Sequence, residues 1–154
     1  MSLPAHRRPL LVAIVALGGA LGASGRYGLG LVVSPAHGWP VATLTANVVG
    51  AFLLGVLLEG LVRRGEESPR GRLLRLGLGT GVLGGFTTFS SLALEIDQLL
   101  GRGAVGTALG YAVVTLVVGF GACLGGIVLA ARHHAWRFAP APDADPAAAE
   151  EGAG

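Results

Sequence analysis

The sequence predicts an all-α membrane protein with four transmembrane helices in each subunit. Four apolar stretches are each close to the roughly 20 residues that a helix needs to cross about 30 Å of hydrocarbon. Charged residues make up 13% of the chain, about half the share that is usual in soluble proteins. Glycine accounts for 27 of the 154 residues, and small residues let membrane helices approach closely. Four helices leave little room for a central path, so we expect the subunits to assemble.

Short loops separate the four stretches, which form one predicted transmembrane domain at 9–131. The predicted spans are 9–33, 41–62, 73–94 and 104–131. We expect residues 1–8 to form an N-terminal tail, and 132–154 to form a disordered tail because the end of the chain is rich in Pro, Ala and acidic residues. Glycines recur at four-residue spacing in three of the spans, which predicts tight helix packing.

The third span contains the most informative segment, residues 77–92, with the sequence GLGTGVLGGFTTFSSL. Five glycines are followed by hydroxyl residues and phenylalanine, which predicts a deliberately broken helix. Irregular backbone persists at membrane depth only where it is buried in protein or lines a wet cavity. Freed carbonyls can hold a cation, and hydroxyls with aromatic edges can line a path. The segment therefore indicates transport of a small solute.

Asn47 is an amide in the second span, and Thr43 lies one turn earlier on the same helix face. An amide in hydrocarbon must find partners, so Asn47 either forms a hydrogen bond between helices or faces a pore. The two residues are candidate pathway residues.

Three polar residues in the first and fourth spans have two interpretations each. Arg26 either extends to the lipid headgroups or collects anions at a vestibule. Tyr111 and Thr115 share a face of the fourth span. Tyr111 either lines a path or belongs to an interfacial aromatic belt, and Thr115 either lines it or bonds to its own helix.

Hydroxyl residues surround Phe89 in the third span, with Thr87 and Thr88 before it and Ser90 and Ser91 after it. The edge of a phenyl ring is electropositive, so it can favour a small anion without trapping it, which is what conduction requires. Simple apolar packing of Phe89 is the alternative. Thr88 and Phe89 are thus further pathway candidates.

Several functions are excluded or disfavoured by residues that the spans lack. The carboxylates Glu59, Glu95 and Asp97 are expected near span ends, which argues against a proton-coupled pump with an acid at the midplane. The chain contains no Lys, so it has no phosphate-binding Gly-Lys-Ser/Thr loop. No catalytic residues are predicted, so we do not expect an enzyme. The arginines lie between apolar runs, where they anchor a membrane protein, so nucleic acid is not expected as a partner.

The arginines are distributed very unevenly between the two sides of the predicted bundle. The side with the two tails and the loop between the second and third spans carries nine, and the other side carries Arg26 and Arg102. The nine are Arg7, Arg8, Arg63, Arg64, Arg70, Arg72, Arg75, Arg132 and Arg137. The positive-inside rule then predicts that both termini are cytoplasmic. The Ala-, Gly- and Arg-rich composition suggests a bacterial inner membrane protein.

All four spans carry motifs that resemble the small four-helix fluoride channels of the Fluc (CrcB) family. Residues 18–27 (GGALGASGRY) are similar to the family's GGxxGAxxRY, and 43–55 (TLTANVVGAFLLG) to its TLxxNxxGxFxxG. Residues 84–90 (GGFTTFS), followed by Glu95, are similar to GGFTTFSTFxxE. Tyr111 and Thr115 stand where the family usually has Tyr and Ser.

The resemblance implies passive export of fluoride through an antiparallel dimer with two pathways in the lipid bilayer. It implies that Asn47, Phe89, Tyr111 and Thr115 line the path and that Arg26 lies near its mouth. It also implies that the main-chain carbonyls of Gly84 and Thr87 hold a structural sodium ion that is not transported.

Ala42 replaces the Gly that precedes the second-span motif in the family. The departure that matters is in the third span, where Leu92 stands in place of the second phenylalanine of TTFSTF. In the family, each pathway takes one ring from each subunit, so a homodimer would lack one ring in both pathways. Together with the arginine bias, this favours a heterodimer with a paralogous chain of opposite orientation. The remaining alternatives are a non-conducting or half-conducting partner subunit and a small drug-exporting transporter; the latter would need an acid in the first span, which has none.

Overall fold

The protein is described here by a computed structural model that covers residues 8–36, 38–66 and 68–137. The described chain is helical, and its only β-type pairing is an isolated bridge between Ala36 and Trp39. The helices are α1 (Pro9–Val32), α2 (Val41–Val62), α3 (Pro69–Leu74), a π-helix (Arg75–Leu83), α4 (Gly84–Phe86), α5 (Phe89–Gly101) and α6 (Val105–Arg137). The predicted all-α class is therefore confirmed for this part of the chain.

Three of the described helices, α1, α2 and α6, are long and apolar enough to cross a membrane. The prediction that a disordered tail begins at residue 132 is wrong for its first six residues, because α6 continues to Arg137. No glycine or proline follows Gly126 until Pro140, so the sequence contains nothing that stops the helix at 131. The rest of the predicted tail, residues 138–154, and residues 1–7 lie outside the described residues.

The third apolar stretch consists of several short helical segments in place of one long helix. Helix α3 passes directly into the nine-residue π-helix, and α4 follows it. The helical backbone then stops: Thr87 and Thr88 have ψ angles of 156° and 123°, which are extended. Helix α5 begins at the next residue, Phe89. The glycine-rich residues 77–85 have little intrinsic preference for a regular α-helix, which is consistent with the irregular hydrogen bonding here.

Glycine contacts hold α1 directly against this third stretch. A Cβ atom on Gly22 would collide with the carbonyl oxygen of Val82, and one on Gly85 would collide with the carbonyl oxygen of Gly19. A Cβ on Gly18 would lie 2.6 Å from the carbonyl oxygen of Gly77. These backbones touch only because no side chain separates them. The glycine spacing of the first and third spans therefore does predict the packing.

The contact between α2 and α6 uses different glycines from those predicted by the spacing. Gly55 packs on the carbonyl of Cys123, and Gly126 packs on the carbonyl of Phe52. The predicted small-residue pair Gly121 and Gly125 has open space around both residues in the subunit. One glycine per helix suffices where each fits against a carbonyl of the other helix, so a regular four-residue repeat is unnecessary.

These contacts also fix the direction of the helices. Helices α2 and α6 run parallel, because Trp39, just before α2, lies beside Gly110 near the start of α6, whereas Gly55 lies beside Cys123 further along both helices. Helix α1 runs parallel to the third stretch in the same way, from Ile14 beside Gly77 to Gly19 beside Gly85. The start of α1, the α2–α3 loop and the end of α6 consequently lie at one end of the bundle, which we call the arginine-rich end. The loops at 33–40 and 102–104 lie at the other end.

We predict that Gly22→Ala destabilises the subunit by about 1–3 kcal/mol, because the new methyl group overpacks a backbone contact. Thermal unfolding of the purified protein in detergent measures this. Gly28→Ala is the matched control on the same helix: its Cβ has open space, and alanine is the better helix former. Equal melting temperatures for the two variants would show that α1 and the π-helix are not in contact.

Candidate functional site

The candidate site begins at the gap between α4 and α5, which Asn47 of α2 bridges. The Oδ1 atom of Asn47 accepts a hydrogen bond from the Thr88 backbone N–H at 2.7 Å, and its Nδ2 atom donates to the Thr88 carbonyl at 3.0 Å. In a continuous helix the Thr88 N–H would bond to the carbonyl of Gly84. The amide therefore replaces the missing helical bonds. Of the two interpretations of Asn47, the inter-helix hydrogen bond is confirmed within the subunit.

The two threonines at the gap end one helix and begin the next. The Thr87 hydroxyl donates to the carbonyl of Leu83 at 2.9 Å, which closes the end of α4. The Thr88 hydroxyl accepts from the Ser91 N–H at 3.1 Å and so caps the start of α5, as threonine commonly does. Gly50 of α2 leaves room for the Thr87 methyl group, with which a Cβ at residue 50 would collide.

Glu95 of α5 joins two of the predicted pathway residues. Its Oε1 atom accepts from the Thr43 hydroxyl and its Oε2 atom from the Tyr111 hydroxyl, both at 2.6 Å. Such short bonds are typical of hydroxyls that donate to a carboxylate. Three helices, α2, α5 and α6, thus meet at one side chain.

One expectation about these residues is wrong, and it concerns Tyr111. Glu95 lies midway along α5, which extends to Gly101. Tyr111 is fully buried, so it does not belong to an interfacial aromatic belt. Thr43, like Tyr111, is buried. Sequence reasoning missed Glu95 as a site residue, although its position three residues after the buried Leu92 puts it on the inward face of the helix.

Arg26 lines a cavity of about 370 Å³ that opens towards the end opposite the arginine-rich end. Thr43 and Glu95 line the same cavity, so it leads from the surface to the carboxylate network. The Nε atom of Arg26 donates to the carbonyl of Gly85 in a long hydrogen bond of 3.4 Å. The guanidinium is therefore held beside the helix gap at the cavity wall, which fits the vestibule interpretation.

Thr115 lies one turn after Tyr111 on α6 and carries the unsatisfied polar atom of the site. The residue is buried, and its Oγ1 atom has no hydrogen-bond partner among the described residues. Buried hydroxyls nearly always have a partner, so an exception needs an explanation. A water molecule or an anion that accepts a hydrogen bond from the Thr115 hydroxyl would explain the exception.

Phe89 and Leu92, at the start of α5, differ sharply in exposure. The Phe89 side chain is 78% exposed in the subunit, whereas Leu92 is 5% exposed and packs in a cluster with Tyr111, Ala108 and Leu99. Phe89 therefore does not pack inside its own subunit. The wall of this subunit's own site is aliphatic at residue 92.

Trp39 precedes α2 and covers the site from the loop side. Its ring meets that of Tyr111 edge-to-face, with the ring centres 5.9 Å apart and the planes at 81°. This geometry is favourable for two aromatic rings and fixes where the Tyr111 hydroxyl points. The sequence analysis missed this contact, because Trp39 lies in a loop 72 positions before Tyr111 and no local pattern connects them.

The arrangement defines a class of protein: a small helical membrane protein with a buried polar route beside an interrupted helix. The chain belongs to the CrcB family, since the family model described as CrcB-like protein, Camphor Resistance (CrcB), matches residues 13–127. This confirms the resemblance seen in the four motifs.

Curated relatives support the same assignment over most of their length. The chain is 43% identical over 130 residues to "Fluoride-specific ion channel FluC 2" of Leifsonia xyli subsp. xyli, covering 84% of this chain and 90% of that protein. It is 46% identical to "Fluoride-specific ion channel FluC" of Deinococcus radiodurans, with 77% and 93% covered. For the Thermus thermophilus protein of that name, the identity is 51%, with 69% and 83% covered.

Proposed function

We propose that this protein is a fluoride-specific channel that exports cytoplasmic fluoride passively and so lowers its toxicity. The observation that carries the proposal is the buried route of polar groups from the Arg26 cavity, through Thr43, Glu95 and Tyr111, to the unpartnered hydroxyl of Thr115. The relatives named as fluoride channels support the choice of ion. No chemical step is required, because the membrane potential contributes about 2.3 kcal/mol per charge for each 100 mV.

Hydroxyl groups suit this ion because fluoride is small and accepts strong hydrogen bonds. Two of the hydroxyls along the route, those of Thr43 and Tyr111, are already bound to Glu95. An anion that leaves the cavity must therefore compete with the carboxylate for these donors, whereas the Thr115 hydroxyl is available. This competition keeps binding weak enough for release, as conduction requires.

The exposed ring of Phe89 supports assembly as an antiparallel dimer in the bilayer. A phenyl group that is 78% exposed in the subunit is available to line the pathway of a partner. In this arrangement the third stretch crosses the membrane as two helical pieces, and the dimer contains two pathways. The partner's phenylalanine then supplies the electropositive ring edge that the subunit itself lacks at Leu92.

A structural sodium ion at the dimer centre fits the backbone at the gap. Carbonyl oxygens suit a hard cation. The Thr88 N–H donates to Asn47 Oδ1 and not to the carbonyl of Gly84. The extended ψ angle of Thr87 points the Thr87 carbonyl away from the helical direction. Gly84 and Thr87 would hold the ion, which would join the two subunits and would not be transported.

Dimer dissociation should then be slower in sodium buffers than in N-methylglucamine buffers; equal rates would contradict this.

Orientation and partner choice follow from the arginines and from Leu92. The arginine-rich end contains the α2–α3 loop and the end of α6, so the positive-inside rule places it in the cytoplasm of a bacterial inner membrane. A chain with nine arginines against two inserts in one direction, so its antiparallel partner is a second, paralogous chain. In such a pair, Leu92 removes one phenyl ring from only one of the two pathways, whereas in a homodimer it removes one ring from both.

Removal of the Thr115 hydroxyl is the sharpest test of the pathway. We predict that Thr115→Val lowers fluoride efflux from liposomes by roughly tenfold or more, because a hydrogen bond to an ion contributes about 1.5–3 kcal/mol. The fold should keep its melting temperature, since Thr115 Oγ1 bonds to no described residue. Thr115→Ser is the control that keeps the hydroxyl and the flux. Efflux equal to wild type in Thr115→Val would remove Thr115 from the pathway.

Cysteine labelling in intact cells tests the single orientation. In a Cys123→Ala background, we predict that Ser34→Cys reacts with a membrane-impermeant maleimide and that Glu66→Cys reacts only after permeabilisation. Both positions are exposed and lie at opposite ends of the bundle. Comparable labelling of both in intact cells, from this chain expressed alone, would show dual insertion and would overturn the heterodimer proposal.

A further inference from the structure

A second cavity, of about 180 Å³, lies between the end of α2 and the start of α3, away from the candidate pathway. We call it the α2–α3 groove. Its wall is apolar and its rim is charged. The wall includes Leu58, Leu61 and Val62, and the rim includes Arg64, Glu66 and Arg75.

The groove combines the two environments that meet at a membrane surface. Its wall is the last part of α2, a helix apolar enough to cross a membrane. Leu58 is 39% exposed and Val62 is 73% exposed, so the wall is open to the surroundings. The charged rim begins two residues after Val62, at Arg64. This order along the helix places the apolar wall at the depth of acyl chains and the rim at the depth of headgroups.

The balance of charge at the rim favours an anion. Residues 64–75 carry four arginines and two glutamates, and Arg64, Arg75 and Glu66 line the groove itself. The nearby Glu59 adds no net negative charge, because its Oε1 atom is bound to Arg63 Nε at 2.6 Å. Further arginines at this end raise the local potential. Planar guanidinium groups are well suited to phosphate oxygens.

We propose that the α2–α3 groove binds an anionic phospholipid, with an acyl chain along Leu58 and Leu61 and the phosphate between Arg64 and Arg75. A basic pocket beside a membrane helix on the cytoplasmic side is suited to such headgroups. A soluble phosphate would leave the apolar wall uncovered, so the lipid fits better than the free ion. The inference needs the protein to reside in a membrane but does not depend on fluoride passage.

Native mass spectrometry of the full-length protein released from detergent tests this directly. Phosphatidylglycerol and phosphatidylcholine with identical acyl chains are added at equal concentration. We expect phosphatidylglycerol to remain bound in preference, and Arg64→Gln and Arg75→Gln each to lower its retention by roughly fivefold, since one arginine near an anionic lipid surface contributes about 1 kcal/mol. Glycerol 3-phosphate, which has the headgroup phosphate without acyl chains, should not displace the lipid.

Arg70→Gln is the matched control, because it removes the same charge from the same end of the bundle and Arg70 does not line the groove. Its retention of phosphatidylglycerol should equal that of wild type. An equal loss in Arg70→Gln and Arg64→Gln, equal retention of the two lipids, or displacement by glycerol 3-phosphate would each overturn the proposal. Arg64 lies in an exposed turn after α2, so Arg64→Gln decides the test even if Arg75→Gln fails to fold.

Discussion

The two hydrogen bonds between Asn47 and the backbone of Thr88 are the interaction on which the rest of the site depends. A helix that stops inside an apolar environment leaves N–H and C=O groups that cost several kcal/mol each if they stay unsatisfied. One amide side chain satisfies a donor and an acceptor at the same time. Both backbone groups of Thr88 are therefore satisfied at the gap, and α5 restarts immediately at Phe89 with Thr88 as its cap.

The position of the gap determines where the functional side chains lie. Helix α5 begins at Phe89, whose ring is exposed in the subunit, whereas Leu92 is buried and Glu95 is bound to Tyr111. Glu95 can then bind Thr43 of α2 and Tyr111 of α6 together. Glycine contacts between α1 and the third stretch hold the other side of the gap in place. An uninterrupted helix would continue with a different rotation and would turn these residues elsewhere.

The sequence was sufficient to predict the helical class, because apolar length reports directly on it. It also drew attention to Asn47, Tyr111 and Thr115, since a polar residue in an apolar stretch must have a partner or a function. It did not predict the partners themselves. The contacts of Glu95 with Thr43 and of Trp39 with Tyr111 join residues 52 and 72 positions apart, and pairing at such separation depends on tertiary packing.

The choice of which glycines pack, Gly55 and Gly126 in place of Gly121 and Gly125, was unpredictable for the same reason. Spacing identifies small residues on one helix face, but the facing helix decides which of them meets a backbone carbonyl. The end of α6 was misjudged because hydropathy falls at Arg132 while nothing in the sequence stops the helix there. Composition thus marked the end of the apolar stretch, and the helix continues past it.

The polar route beside the helix gap should pass fluoride and reject other halides. The most direct measurement is ion efflux from liposomes that contain the purified protein, loaded in turn with potassium fluoride and potassium chloride and started by valinomycin. Two preparations are measured: this chain alone, and this chain reconstituted together with a paralogous partner chain. We expect rapid fluoride release from at least one of them, and chloride release no greater than that of protein-free liposomes. Chloride efflux at a rate similar to that of fluoride, or no fluoride efflux from either preparation, would contradict it.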